Sequence, residues 1–529
     1  MSEERPGLVN VTVDSVPVAV PPGTRLIEAA ERAGVVIPRY CYHPGIPTRP
    51  AQCRVCLVEI EGQAKLQPSC VITVQEGMVV HTQSEEASQA RKSVIEFLLL
   101  NHPLDCPICD AAGQCMLQDY ASETGQLKSR FTDAKRVLGR DRVADDILYF
   151  ADRCILCTRC VRFMRDVAGD DTLIVAQRGH KAYIDTFPGK DLENEFRGNI
   201  VDVCPVGALV HEDFLFKARA WDMDSTPSVC PGCSTGCNVS MDVIENQIVR
   251  VKPRYNADVN SYWMCDYGRS HLVMSNRGLR VEVPLVRAGE RLEAVSWDEA
   301  FAWLAEALGD VRSGGAIVSP HESNEGLYFF SRLASTLGIE GGSYRLERGS
   351  EAELKGLPQL KLRAERAPNA RGAEEFGFGE AESLAAATSG CTLVLGDELA
   401  GIPEDFAVEA DGMIYFGSRL SPASRNARAV LPITTFAEMS GTVTNADGRV
   451  QRFRQALQPP GVARPAWMVL SRLLAEMGHG EAVLNAQDAL DAMVSGSPAM
   501  AGLSWEGLGD KGAPLPGAAQ PALAEEPGS

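Results

Sequence analysis

The 529-residue chain has no long apolar run. "VIEFLLL" at 94–100 is among the longest, well short of the ~18 residues a membrane helix needs. The opening "MSEERPGLVN" has no apolar core and two early acids. It reads as neither a secretory signal nor an Arg-rich transit peptide, so the protein is expected to stay where it is made. Positive charge is scarce: 51 Lys and Arg stand against 70 Asp and Glu, for a net charge of −19. That disfavours nucleic-acid binding, which needs clustered cations, and suits a solvated acidic surface. No repeat of 20–50 residues is visible. Cysteine is nearly absent from the second half, where Cys391 alone lies beyond residue 266; the other fifteen lie before it. With no export signal expected, and with these spacings, the cysteines argue against a disulfide framework. What remains is a globular composition, 45% hydrophobic and 23% charged, of roughly three or four domains.

The front reads as a small sheet domain. "VNVTV" and "VPVAV" flank the turn Asp14-Ser15, which predicts a β-hairpin. "GTRLIEAAERAG" predicts a helix with Thr24 as N-cap and Gly34 ending it, and "CLVEIEG" returns as a strand. Together they suggest a β-grasp. Residues 84–100 predict a helix capped by Ser84, with Glu85 and Glu86 in its first turn and Pro103 beyond its end. Residues 101–222 read as loops and short helices, too poor in apolar periodicity to hold together by a core alone. After 275 strands alternate with helices, which argues for an α/β layer. "SWDEAFAWLAEALG" carries a capping box, Ser296 and Glu299. "GAIVS", "CTLVLG" and "MIYFG" read as buried strands. "SNEGLYFFSRLASTLG" puts Leu327, Phe330, Ala334 and Leu337 on one helical face. "TVTNADGRVQRF" predicts a hairpin turning near Asp447-Gly448, and "RPAWMVLSRLLAEMG" a further helix. Residues 345–390, charged and rich in Ala, Glu and Gly, are expected to form a surface excursion or partly disordered linker. The Gly-, Pro- and Ala-rich tail from about 508 is expected to be disordered.

The fifteen early cysteines fall into four sets by spacing. The first is Cys41, Cys53, Cys56 and Cys70. The second is Cys106, Cys109 and Cys115, with His102 at its head in "NHPLDCPICDAAGQC". The third is Cys154, Cys157 and Cys160 in "CILCTRC", with Cys204 in "CPVG". The fourth is Cys230, Cys233 and Cys237 in "CPGCSTGC", with Cys265 in "WMCDYG". A lone set could hold zinc. A C-x2-C-x2-C run followed by a distant Cys-Pro instead matches the ferredoxin pattern for a 4Fe–4S cubane. The first set, with a long first gap and a central CxxC, suits a 2Fe–2S cluster, and the C-x2-C-x3-C core of the fourth suits another cubane. Cluster ligation would also staple the loop-rich stretch 101–222.

His102 completes the second set where no fourth cysteine is near; the competing reading is a surface histidine before Pro103. A neutral imidazole in place of a thiolate makes a cluster less negative and easier to reduce, the direction seen in two-histidine Rieske centres.

All four sets, in order and spacing, resemble the large iron–sulfur subunit of bacterial respiratory complex I over residues 8–275. The resemblance implies an α+β and α/β multidomain chain. It would comprise a β-grasp 2Fe–2S domain at 1–83, a 4Fe–4S segment with one histidine and three cysteine ligands at 84–145, and a ferredoxin-like 4Fe–4S domain at 146–222. A 4Fe–4S subdomain of molybdopterin-oxidoreductase type would follow at 223–280, a shortened α/β scaffold at 281–480, and a C-terminal extension at 481–529. It implies one 2Fe–2S and three 4Fe–4S clusters, no molybdopterin, and a relay role without catalytic residues. The fourth cluster occurs only in some members and lies off the main electron path. NADH and FMN would sit on a partner subunit, with quinone-side subunits as the other partners. The complex would lie at the cytoplasmic side of the bacterial inner membrane, this chain being peripheral. "SWDEAFAWL" and "GTVTNADGRVQ" also look like the molybdopterin fold, but residues 345–390 match nothing in it.

Two other readings share the front. A molybdenum or tungsten enzyme resembling formate dehydrogenase needs a metal ligand, and Cys391, the only spare cysteine, reads more simply as a small buried hydrophobe. A diaphorase subunit of an NAD-linked hydrogenase would end before residue 276. Gly507-Leu508-Gly509-Asp510-Lys511-Gly512 fits GxGxxG in form, but no strand precedes it and Pro514 and Pro516 follow, so it reads as chance.

Overall fold

The computed structural model describes residues 7–124, 128–274, 279–384, 390–397, 412–420 and 423–518. They divide into two units, one of residues 7–223 with 354–359, the other of 224–353 with 360–518.

The first unit opens with a five-stranded mixed sheet ordered Val16–Val20, Val9–Val13, Met78–His81, Leu57–Ile60, Gln67–Pro68. Asp14 and Ser15 both take positive φ, the turn that matches strand twist in a two-residue hairpin. The Asp14 carboxylate then accepts from the Thr82 amide at 2.7 Å, tying the hairpin to the end of the central strand. One helix, Leu26–Arg32, lays Leu26, Ile27, Ala29 and Ala30 on Val11, Val13, Val58 and Val80. A helix over such a sheet is the β-grasp arrangement. The helix begins one residue later than expected, because Arg25 is its N-cap and the Thr24 hydroxyl turns back to Pro21 O. The next helix, Glu85–Leu99, has Ser84 accepting from the Ala87 amide.

Residues 101–222 are not only loops and short helices. Strands Arg140–Ala144, Ile147–Phe150 and Leu209–His211 form an antiparallel sheet, and Leu173–Ala176 pairs with Tyr183–Thr186.

The second unit carries an antiparallel sheet of Asp224–Val229, Asn238–Ile244 and Gln247–Pro253. Its main body is an eight-stranded sheet. Parallel strands step outward from Gly314–Val318 through Gly342–Tyr344 to Phe378–Glu380. Later strands then step the other way, through Cys391–Leu395 and Met413–Gly417 to Ala429–Pro432. The order therefore reverses between Gly314–Val318 and Cys391–Leu395, as in doubly wound α/β sheets. Helices Trp297–Gly309, Asn324–Thr336, Ala466–Glu476 and Ala486–Gly496 cover it, and one core runs through Leu304, Leu327, Phe330, Leu393, Phe416 and Leu470. Each such burial contributes about 1.5–3 kcal/mol.

Two expectations are corrected. Within 345–390 a described part is built structure: Phe378–Glu380 is the sheet's edge strand, Ala352–Glu353 pairs with Lys361–Leu362, and Leu360, Leu362, Ala373 and Phe376 are buried. Residues 354–359 pack in the first unit, where the Gly356 amide donates to Val167 O at 2.7 Å and Lys355 Nζ to Gly169 O at 2.9 Å. The tail is also ordered past 508. Ala513–Pro514 adds a strand beside Arg449–Phe453, and Leu508 and Leu515 are buried. Residues 519–529 lie outside the described residues.

Candidate metal centres

The thiols of the first set meet between the sheet and its loops. Cys41 lies within hydrogen-bond reach of Cys53 and Cys70, and Cys56 of Cys70. Accepting from those neighbours holds Cys41 far below the usual thiol range, while Cys53 and Cys70 are pushed far up. Ala51 and Arg54 take left-handed φ on either side of Cys53, curling the loop round it.

In the second set Cys106 opens a short 3-10 turn, Cys106–Ile108, and Cys115 caps the helix Met116–Glu123. The amides of Leu117 and Gln118 face the Cys115 sulfur, and Cys109 and Cys106 are its neighbours. Cys106 is exposed and Cys115 buried. The neighbours acting on His102 are Lys135, Arg153 and Asp105; burial first, then the two cations, lowers its imidazole to about 4. It is therefore neutral near pH 7, the form a metal accepts, and its Nδ1 is buried with no partner. Lys135 Nζ donates to Leu99 O at 2.8 Å and Leu100 O at 3.0 Å, satisfying the end of the helix just before His102.

Cys154, Cys157, Cys160 and Cys204 line one cavity. Leu156 and Thr158 have left-handed φ, so the run of three cysteines turns its sulfurs inward. The Leu156 amide donates to Cys154 Sγ at 3.3 Å. The amides of Val206, Ala208 and Leu209 face Cys204. Burial pushes Cys157 up to about 12.

The fourth set is buried throughout. Cys230 and Cys237 close a hairpin through Cys230 N–H to Cys237 O at 2.8 Å, and Cys265 stands before the helix Asp266–Met274. Cys233 and Cys230 act on Cys265, and all three others act on Cys237. A Cβ at Gly268 would lie 2.5 Å from Cys230 Sγ, and one at Gly207 would lie 2.3 Å from Cys109 Sγ. Glycine is required there for the backbone to approach the sulfur.

Among the described residues no three His, Cys, Asp or Glu groups converge tightly enough to hold a single ion. The donor chemistry fits a larger object. Burial disfavours the charged form of thiols such as Cys115, Cys160, Cys204, Cys230 and Cys237, so thiolates gathered there call for a cationic centre among them. Backbone amides aimed at sulfur are the contacts that tune one. These amides were not legible in the sequence; the Gly and Pro beside some of the cysteines, in "CPIC", "CPVG" and "CPGC", were the nearest sign of them.

The comparisons with known proteins divide the chain along the same lines. Residues 7–85 match a 2Fe-2S iron-sulfur cluster binding domain, 91–130 the NADH-ubiquinone oxidoreductase-G iron-sulfur binding region, and 145–210 the ferredoxin-like domain of NADH-quinone oxidoreductase subunit 3. Residues 223–276 match a molybdopterin oxidoreductase Fe4S4 domain, and 413–476 match molybdopterin oxidoreductase. Each candidate set falls inside its own matched segment. The G-type NADH-quinone oxidoreductase subunit of Streptomyces coelicolor is 41% identical over 332 residues, covering 62% of this chain and 39% of that protein. The mitochondrial NADH-ubiquinone oxidoreductase 78 kDa subunit of Candida albicans is 40% identical over 348 residues, 64% of this chain and 48% of that protein.

The chain is a relative of the G-type subunits of NADH-quinone oxidoreductase.

It carries 2Fe-2S and 4Fe-4S binding domains, and it spans less than half the length of these two relatives. A chain of NAD+-reducing NiFe-hydrogenase in the H2-reduced state is 30% identical, with 40% of this chain and 90% of that one covered at a TM-score of 0.36; a likeness that loose carries no argument. Outside the matched sets, Cys391 begins a buried strand and packs in the main core, its thiol pushed up to about 11 by burial. The GxGxxG match follows no strand; it overlaps the short helix Trp505–Leu508. Among the described residues no helix is long and apolar enough to cross a membrane.

Proposed function

We propose that this chain carries single electrons within an NADH-quinone oxidoreductase, from a flavin subunit towards quinone-side subunits. The observation that supports the reading is the order of four cysteine sets, each within a segment matched to an iron–sulfur domain. In it, Cys41, Cys53, Cys56 and Cys70 hold a 2Fe–2S cluster. His102, Cys106, Cys109 and Cys115 hold a 4Fe–4S cluster, as do Cys154, Cys157, Cys160 and Cys204, and as do Cys230, Cys233, Cys237 and Cys265.

Such clusters, when bound, take up and release one electron without making or breaking a substrate bond. The chain's part is to hold them, keep water from them and set their electrostatics. Amides such as those of Val206, Ala208 and Leu209 offer hydrogen bonds to sulfur. The neutral His102 ring supplies a nitrogen without adding negative charge. NADH and FMN belong on a partner subunit, and the assembly sits at the cytoplasmic face of a bacterial inner membrane.

The test is metal analysis and EPR on one anaerobic preparation of the full chain. About 14 irons per chain are expected from these cluster types. Zinc in place of iron, cysteines bridged as disulfides, or tightly bound molybdenum or tungsten would each overturn the reading.

A further inference from the structure

Two buried cations in the first unit lack a carboxylate partner among the described residues. Arg159 and Arg162 flank Cys160 on the short helix Arg159–Arg162, and both are buried. Their hydrogen bonds run mainly to backbone carbonyls. Arg159 Nη2 donates to Tyr42 O at 2.6 Å and Nη1 to Val203 O at 3.3 Å, while Arg162 Nη1 donates to Thr48 O at 2.8 Å and Nη2 to Cys41 O. Tyr42 follows Cys41 in the chain, and Val203 precedes Cys204. The Arg159 Nε is buried without a partner.

The nearby cations differ. Arg39 pairs with Glu31 and Arg49 with Glu28. Asp166, which acts on Arg162, is itself paired with Arg165. His43 also lies beside Arg159, Arg39, Arg162 and Arg49 and offers them no carboxylate. A buried charge without compensation is costly. The sulfurs beside Arg159 are those of Cys157, Cys204 and Cys41, and those of Cys41 and Cys157 lie beside Arg162. Those thiols belong to the first and third sets.

We propose that Arg159 and Arg162 form one cationic bridge shared by the first and third centres, balancing the negative charge of both and making both easier to reduce. The inference rests on reading the two sets as iron–sulfur ligands. Each centre gains negative charge when it takes an electron, and a fixed guanidinium in a low-dielectric setting favours that reduced form. The same donors fix the backbone at Cys41, Tyr42 and Val203 to the helix that carries Cys160, so the two arginines are positioning residues for both centres at once.

The experiment is an EPR-monitored redox titration of the full chain, purified without oxygen, as wild type, Arg159→Gln, Arg162→Gln, Arg159→Lys and Arg162→Lys. Each Gln variant is expected to lower the midpoints of the first and third centres. A tenfold loss in the reduction equilibrium corresponds to about 59 mV for one electron. The second and fourth centres should not move. The Lys variants, which keep the charge but lose the fork, should stay near wild type. Unshifted midpoints in iron-loaded Gln variants, or a shift confined to one centre, would overturn the bridge. If the Gln variants fail to load iron, the Lys variants decide: wild-type midpoints support the bridge and lowered ones overturn it. Iron analysis of the wild type keeps the cases apart, since a wild type without iron defeats the underlying cluster reading instead.

Discussion

Residues 101–222 and the eight-stranded sheet of the second unit are built in different ways. The first region has short strands, short helices and left-handed residues such as Leu156 and Thr158 wrapped around thiols. The second has six parallel strands under long capped helices, with Leu304, Phe330, Leu393 and Phe416 almost wholly buried, and Cys391 sits in it as one more apolar group. Where side chains can be packed in layers, area burial suffices. Where the chain must bend around an inorganic object, the object itself contributes folding free energy.

Removing iron should break the contrast most sharply. Chelation under reducing conditions is expected to strip hydrogen-exchange protection from 101–222 while Gly314–Val318 and Cys391–Leu395 stay protected; equal loss in both would refute the division. The mirror experiment is Leu393→Ala in the sheet core, where the side chain is fully buried. It should cost about 2–5 kcal/mol in the melting of the second unit and leave the EPR signals of the first three centres intact. Gly207→Ala would drive a methyl group to 2.3 Å from Cys109 Sγ and should abolish the second centre, with a loss of about 4 irons per chain. His102→Cys should keep the iron and lower that centre's potential, because a thiolate replaces a neutral ring; an unshifted EPR titration would strike His102 from the donors.

The smallest effect concerns Glu322, buried near Asp397 in the second unit. Burial, then Asp397, raises its carboxyl from 4.5 to about 8. A raised carboxyl binds its proton more tightly in the folded chain, so stability is full below pH 4.5 and falls as pH rises towards about 8. Glu322→Gln should flatten that fall, read as melting temperature between about pH 5 and pH 9.

Local signals carried much of this fold in the sequence. Ser84 and Ser296 each cap the helix expected of them, and Asp14-Ser15 turns its hairpin, because caps and turns are decided within a few residues. Thiol spacing is equally local. What escaped was long-range. Strands of three residues, such as Gly342–Tyr344 and Phe378–Glu380, are too short to show a period of two. "RDRVA" at 140–144 is mostly exposed and looks like loop. Ala513–Pro514 becomes a strand only because Arg449–Phe453 is there to pair with it. The reach of Arg159 to Tyr42, 117 positions away, leaves no pattern in the chain, and neither does the approach of Gly207 to Cys109.

The six residues 354–359 leave the second unit's sequence to lie against Val167 and Gly169 in the first. Synthesis runs from the N-terminus, so every proposed ligand has left the ribosome before this piece arrives. The first unit therefore cannot be complete until residues 354–359 have been made, long after the cysteines before them.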